Sequence, residues 1–312
     1  MKRAVAITTL GAALLLAGLG YGGTTSDFGR HRILLIGHGG GGARIFLWHP
    51  GSPLKPLTPA LNYGVNGGGG FLSATSDGYW SPDGRSIAYE HDSPASLAPP
   101  TPSIYVMSYD GSHRRLLDSG DETSEGGGPP SWSPDSRELV WERAAFVSPD
   151  LLTEEQFAIV DVASGAGRTW PADLATSNPV WGKGGIAYFS ETGLMLLDPA
   201  TGQSRLVTSR FVHGALAWSP GGALTVGEPR QIIVLSASGQ VVRKLPSPPT
   251  TRPLCGIAWS PRGRYILASV TARNGFGLAR LWVETVSTKR WQRLPAVPKW
   301  ANFAYDCAAS WR

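Results

Sequence analysis

A five-residue phrase in six full or approximate copies, spacings of 37 to 52 residues between them, and short apolar runs alternating with Gly-containing turns predict an all-β chain. The architecture that fits is a six-bladed β-propeller of four-stranded antiparallel blades, closed by the C-terminal strand pairing with the N-terminal blade. The phrase is Trp80-Ser81-Pro82-Asp83-Gly84, repeated as Trp132-Ser133-Pro134-Asp135-Ser136, Trp181-Gly182-Lys183-Gly184-Gly185, Trp218-Ser219-Pro220-Gly221-Gly222 and Trp259-Ser260-Pro261-Arg262-Gly263, with Ser310-Trp311-Arg312 as a truncated last copy. Successive tryptophans lie 52, 49, 37, 41 and 52 residues apart. That interval suits a four-stranded blade of about 40–45 residues rather than the shorter helical repeats.

Residues 1–22 begin with Lys2 and Arg3, continue with an apolar run from Ala4 to Leu19 and end in small residues, the pattern of an export signal. An uncleaved N-terminal membrane anchor is the alternative, since a span needs about 20 apolar residues. Residues 23–31 read as a linker and 32–312 as the propeller. From Arg32 the chain enters a repeat without its opening phrase: Ile33 to Gly37, Arg44 to Trp48, a turn near Gly51, then Lys55 to Leu57. The missing strand is supplied by Cys307 to Trp311, which closes the ring and removes exposed sheet edges.

Each later copy of the phrase is followed by strand-like runs. The first gives Ser86 to Glu90, Ser103 to Tyr109 and His113 to Leu117; the fourth gives Ala223 to Gly227, Gln231 to Ser236 and Val241 to Leu245. Within the phrase, Pro82 presets φ for the second position of a β-turn, and Asp83 and Gly84 suit the positions after it. Trp80 ends the first strand with a large apolar surface for the neighbouring blade and an indole N–H that needs a partner when buried. A residue repeated once per blade serves the repeat.

Trp-Ser-Pro-Asp-Gly followed by Ile87-Ala88-Tyr89, Ser103-Ile104-Tyr105-Val106-Met107 and Asp110-Gly111-Ser112 resembles the WD40-like (PD40-type) repeats of the TolB propeller family. The resemblance covers about residues 32–312, although the third copy has lost Ser-Pro-Asp and the fourth has lost Asp. The TolB protein's separate N-terminal domain has no counterpart here. The resemblance implies a propeller and an extracytoplasmic binding role, periplasmic, secreted or at the cell envelope, with a protein or envelope component as partner.

Formal charge is +5, or +3 without Lys2 and Arg3, and it is unevenly spread. Residues 1–200 hold 13 Lys and Arg against 20 Asp and Glu, whereas residues 201–312 hold 15 against 3. Such a ring is an electric dipole that orients charged partners. Export and the lack of a recognition motif argue against nucleic acid, and the chain reads as a monomer, associating with a membrane only if the N-terminus stays uncleaved.

No Gly-x-Ser-x-Gly elbow, His-Glu-x-x-His or Cys-x-x-Cys occurs, which weakens an enzymatic reading. A propeller hydrolase or lyase with its site at the channel mouth remains the alternative, because such groups come from several blades. Gly37-His38-Gly39-Gly40-Gly41-Gly42 formally matches a dinucleotide fingerprint, but Ala43 to Trp48 reads as a strand where the fingerprint needs a helix. No cofactor pocket is recognisable. Asp118, Asp121, Glu122 and Glu125 are oxygen ligands that suit calcium, without the ordered spacing of an EF-hand loop, and a solvated acidic linker accounts for them as well. Cys255 and Cys307, the only cysteines, each stand four residues before a marker tryptophan, and export into an oxidising compartment favours a bond between them.

Strand direction also selects a binding face. Since each strand reverses the chain, turns from first to second and from third to fourth strand share one face, and these are the short ones. Links from second to third strand and between blades share the other: Gly37 to Gly42, Pro59 to Gly78, His91 to Pro102, Asp118 to Pro130, Ala144 to Glu154 and Thr271 to Gly277. Long loops on a rigid scaffold carry binding, so the expected partner loops include His91, Asp92, Asp118, Asp121, Glu122 and Glu125.

Overall fold

The computed structural model describes residues 31–39, 42–50, 52–59, 78–93, 101–119, 124–127, 129–145, 154–172, 176–211, 213–252, 254–270, 280–294 and 310–312. Among them there are strands and turns but no helix. The proposed leader, residues 1–22, lies outside the described residues.

Six antiparallel sheets follow one another along the chain. Blade 1 holds β1 (Ile33–Gly39), β2 (Gly42–Trp48) and β3 (Lys55–Pro56). Blade 2 is β4 (Tyr79–Trp80), β5 (Ser86–Ser93), β6 (Thr101–Ser108) and β7 (Arg115–Ser119). In blade 3, β8 (Ser124–Gly127) and β9 (Ser131–Trp132) pair in turn with β10 (Glu138–Ala145), followed by β11 (Glu154–Asp161) and β12 (Gly167–Pro171). Blade 4 contains β13 (Thr176–Gly182), β14 (Gly185–Ser190), β15 (Gly193–Leu197) and β16 (Ser204–Thr208). Blade 5 contains β17 (Ala215–Trp218), β18 (Leu224–Gly227), β19 (Gln231–Leu235) and β20 (Val241–Pro246). Blade 6 contains β21 (Leu254–Trp259), β22 (Tyr265–Val270), β23 (Arg280–Thr285) and β24 (Arg290–Arg293). The last strand, β25 (Ser310–Trp311), returns to blade 1 and pairs antiparallel with β1, Ile33 opposite Trp311 and Leu34 opposite Ser310. Backbone hydrogen bonds between Arg32 and Arg312 in both directions extend this pairing. The ring closes as the truncated last copy of the phrase predicts.

The core is divided among the six gaps between blades. Side chains alternate across each strand, so in β1 Ile33 and Leu35 pack towards blade 6, with Trp48, Leu281, Val283 and Trp311, while Leu34 packs towards blade 2, with Ile45, Trp80 and Ile87. The same division repeats with Ile104, Trp132 and Leu139 between blades 2 and 3, and with Phe157, Ile159 and Ile186 between blades 3 and 4. Phe189, Leu224 and Ile233 fill the next gap, and Ile232, Leu245 and Ile266 the last.

Marker residues tie neighbouring blades together by polar contacts as well. The Trp132 indole N–H donates to the Tyr79 carbonyl at 3.0 Å, that of Trp218 to the Val180 carbonyl at 3.0 Å, and that of Trp259 to Thr225 Oγ1 at 2.8 Å. At two further seams a backbone N–H makes the bond: Trp181 donates to Ser131 Oγ at 2.9 Å, and Trp80 to Ser310 Oγ at 3.0 Å. Every one of these bonds reaches back to the preceding blade.

The turn obeys its chemistry. The Gly84 N–H donates to the Ser81 carbonyl at 2.8 Å with φ of 72° at Gly84, and the buried Ser81 Oγ accepts from the Ser86 N–H at 2.9 Å while donating to Asp83 Oδ1 at 2.6 Å. Ser133 repeats this with Glu138 and Asp135, and its hydrogen bond holds the Asp135 carboxyl below the usual carboxylate range.

Two expectations are corrected. Gly37 to Gly42 is not a long insertion, because β1 and β2 run through it to a pair at Gly39 and Gly42; glycines cost a ladder no hydrogen bonds, since the backbone makes them. Asp118 to Pro130 is not all loop, because Asp118 lies on β7 and β8 pairs with β10; the innermost strand of blade 3 is split before Ser131, where Pro129 and Pro130 lack the N–H that a ladder needs.

Ser310→Ala leaves the buried Trp80 N–H without its acceptor and should lower unfolding free energy by about 1–3 kcal/mol. Chemical denaturation of the variant against the parent chain measures it, and an unchanged midpoint would show that the contact contributes nothing to closure.

Candidate binding surfaces

Short turns gather on one face of the ring, as strand reversal requires, and a broad depression lies there, at the seam of blades 3 and 4. Its cause is hairpin length. Four residues separate Trp181 from its paired Ile186, against six between Trp80 and Ile87, six between Trp132 and Leu139, and six between Trp259 and Ile266. Where blades 2 and 3 project a Ser-Pro-Asp turn, blade 4 turns on Lys183 and Gly184 alone. Larger residues are excluded beneath, because Trp218 of blade 5 lies over the hairpin: a Cβ at Gly182 would meet its ring at 2.2 Å and one at Gly184 at 2.6 Å.

The resulting groove has a volume of about 790 Å³, and its lining includes Pro134, Trp181, Lys183, Asp198, Gln203 and Arg205. Its far wall, the turn Asp198 to Gln203, is fixed to blade 3: the Pro199 carbonyl accepts from the Arg168 guanidinium and from the Trp170 indole at 3.3 Å, and Arg168 also pairs with Glu138. Trp170 packs so closely on Gly202, with φ of 74°, that any Cβ there would overlap its ring. Asp198 spends its carboxylate within its own turn, accepting from the Ala200 N–H at 2.8 Å. Lys183, Gln203 and Arg205 are exposed, and Trp181 is half-buried. The groove therefore offers the Lys183 ammonium, an amide and an indole beside Arg205, whose guanidinium also donates to the Ala237 carbonyl at 2.6 Å. Nothing in the sequence reading selected Lys183 or Arg205; the usable signal was the shortened spacing from Trp181 to the next apolar run.

The residues expected on the long-loop face fall differently. His91 and Asp92 lie on β5, which continues to Ser93, and Asp118 lies on β7, opposite Ile104. Glu125 lies on β8, while Asp121 and Glu122 lie outside the described residues. Strands thus reach further towards this face than the sequence suggested. The His91 ring is half-buried 5.7 Å from Tyr105, and burial, aided by the Arg114 charge, holds its pKa below the ordinary histidine value. Among the described residues no three His, Cys, Asp or Glu side chains converge as a metal site. Cys255 lies on β21; Cys307, the expected partner, lies outside the described residues.

One carboxyl is strongly perturbed. Glu284 on β23 is fully buried in the sheet between Ile266 and Trp291, without a hydrogen-bond partner among the described residues, and burial raises its pKa to about 7 despite the opposing charges of Lys289 and Arg243.

No protein-family model matches the chain, and no curated protein matches it. Among solved structures it is similar to TolB from Acinetobacter baumannii, at 14% identity and a TM-score of 0.66 over 91% of this chain and 67% of that one. It is also similar to puromycin hydrolase, at 19% identity and 0.53 over 85% of this chain and 45% of that one. The oligogalacturonate lyase of Vibrio parahaemolyticus aligns at 14% identity and 0.53, over 84% and 74% of the two chains. At these identities the likeness is one of fold, and that fold serves binding proteins and enzymes alike.

Because the folded state holds the Glu284 proton more tightly than the unfolded chain, stability from this group is fully present below about pH 4.5 and is lost as pH rises through about 7. The loss is on the order of 3 kcal/mol. Glu284→Gln should flatten the change in Tm between pH 5 and pH 8; an equal slope in both proteins would contradict the assignment.

Proposed function

We propose that the chain is an exported, non-catalytic binding scaffold of the TolB-like, PD40-type propeller class, which engages a protein or envelope component. The observation that carries the reading is the groove at the shortened hairpin of blade 4. It is open and polar, and one wall is held by inter-blade hydrogen bonds, so a ligand meets a surface that needs little ordering. Lys183 and Arg205 favour an acidic, extended segment. The long-loop face is the second contact surface of the proposal, with His91, Asp92 and Asp118 near its strand ends and Asp121, Glu122 and Glu125 in or beside its connecting segments.

Residues 1–22 as leader, residues 23–31 as linker and a Cys255–Cys307 bond complete the proposal, which places the propeller in an extracytoplasmic, oxidising compartment. Thiol titration of the unfolded, unreduced chain should find no free thiol, and two free thiols would remove the bond.

The chain, immobilised and exposed to envelope extract, should retain an acidic partner. The double variant Lys183→Glu with Arg205→Glu should weaken that capture at least about tenfold, as expected for loss of charge-assisted hydrogen bonds. Shortening residues 94–100 to a tight turn tests the second surface. Capture that survives both changes would place the site elsewhere, and turnover of a substrate by the purified chain would favour the enzymatic reading over a scaffold.

A further inference from the structure

Blade 6 breaks the charge rule of the repeated turn. In blades 2 and 3 the third residue after the tryptophan is an aspartate that receives its own serine: Asp83 Oδ1 accepts from Ser81 Oγ at 2.6 Å and from the Arg85 N–H at 3.0 Å, and Asp135 Oδ1 accepts from Ser133 Oγ at 2.7 Å and from the Arg137 N–H at 3.2 Å. Those turns read Asp-x-Arg and neutralise themselves. The corresponding turn of blade 6 has the same backbone, with Gly263 N–H to Ser260 carbonyl at 2.8 Å, Tyr265 N–H to Ser260 Oγ at 3.0 Å and φ of 67° at Gly263, yet it reads Arg262-Gly263-Arg264. The aspartate that caps the turn is replaced by a like charge beside an existing one. Local rules are abandoned at a position mainly where something else is gained.

The gain is visible at the adjoining seam. A cavity of about 220 Å³ opens between blade 6 and the closing strand, and Arg262, Arg264, Arg312, His31, Tyr265 and Ser260 line it. Its back is aromatic: Tyr265 and Trp311 lie near-parallel with centroids 6.1 Å apart, and the His31 ring stands edge-on to both. Arg312 is fixed in place, since its main chain pairs with Arg32 and its side chain lies so close over Gly84 that a Cβ there would come within 2.5 Å of Nε. The acidic group acting on Arg312 is Asp83, whose Oδ1 is already engaged in its own turn. Among the described residues Arg262 and Arg264 have no ion-pair partner. Three arginines thus line one small cavity without a matching set of carboxylates.

We infer that this seam is a binding site for a small, multiply charged oxyanion of the phosphate type, held between Arg262 and Arg264 of blade 6 and Arg312 of the closing strand. Guanidinium forks match the geometry of phosphate oxygens and bind them with charge-assisted hydrogen bonds. A ligand that spans blade 6 and the closing strand binds the closed ring only, so it also stabilises closure. The site differs from the groove at blades 3 and 4 in place, size and ligand, and does not depend on it.

The test uses the full chain and inorganic phosphate, at ionic strength held constant with sodium chloride. Phosphate should raise Tm in a saturable manner and chloride should not. Arg262→Asp, which restores the residue of blades 2 and 3, should weaken phosphate binding roughly ten- to hundredfold and leave Tm without phosphate unchanged or higher. If that variant does not fold, Arg264→Gln is read in its place, with Arg137→Gln, at the same turn position of blade 3, as the control that keeps the full response. Vesicles of phosphatidic acid separate the two sources of the group: binding competed by free phosphate means a headgroup is accepted, and phosphate binding without vesicle binding means the free ion is the ligand. A Tm no more sensitive to phosphate than to chloride, or a response kept in full by both variants, would overturn the inference.

Discussion

A blade of four strands has two apolar faces and cannot bury either by itself. Every other feature of this molecule follows from the need to place each face against a neighbour. Alternation along a strand sends successive side chains to opposite gaps, as Ile33 and Leu34 do, so each strand helps to fill two clusters. The last gap is filled only if the chain returns to its beginning. Trp311 supplies that surface, buried with Leu35, Trp48 and Val283, and Ser310 supplies the acceptor for Trp80 on the next blade. Two residues of β25 therefore complete both a sheet and a ring.

The repeated phrase meets this need in three ways. Its tryptophan fills the gap and bonds backwards, its serine caps the hairpin, and its glycine takes the left-handed conformation that the tight turn demands. Departures are then informative. Ser136 adopts φ of 64° where the other turns have glycine, and its hydroxyl accepts from the Asp83 N–H at 3.0 Å, a contact glycine cannot make. Blade 4 has dropped two residues and gained a groove. Blade 6 has exchanged aspartate for arginine and gained a cationic cavity at the closing seam. Both depressions arise where the structural rule is relaxed in one blade while its neighbours keep the scaffold rigid.

Much of the fold was legible because it is written in repeats. Tryptophan spacing gave the blade count, the orphan Ser310-Trp311 gave the closure, and Gly84, Gly222 and Gly263 marked left-handed positions. Strand ends on the long-loop side were not legible, since Gly37 to Gly42 and Ser124 to Gly127 carry ladder hydrogen bonds with little side-chain pattern. The groove was hidden for another reason. The lost Ser-Pro-Asp of blade 4 is visible in the sequence, but what its absence opens depends on Trp218 lying over Gly182 and on Pro199 being clamped by Arg168 and Trp170, contacts between residues 29 to 38 positions apart. Arg262 stood in plain view and became meaningful only when set beside Arg264 and Arg312.

A filled last gap requires the ring to be closed as firmly as its blades are built. Native-state hydrogen exchange at the Arg32 and Arg312 amides, which bond each other's carbonyls across the closure at 2.6 and 2.8 Å, tests this most directly. If closure is integral, both amides exchange only with global unfolding, at the rate of central-strand amides such as Ile186. Exchange orders of magnitude faster than Ile186, as for a fraying end, would mean that the ring stands open in solution and that its last gap is not part of the core.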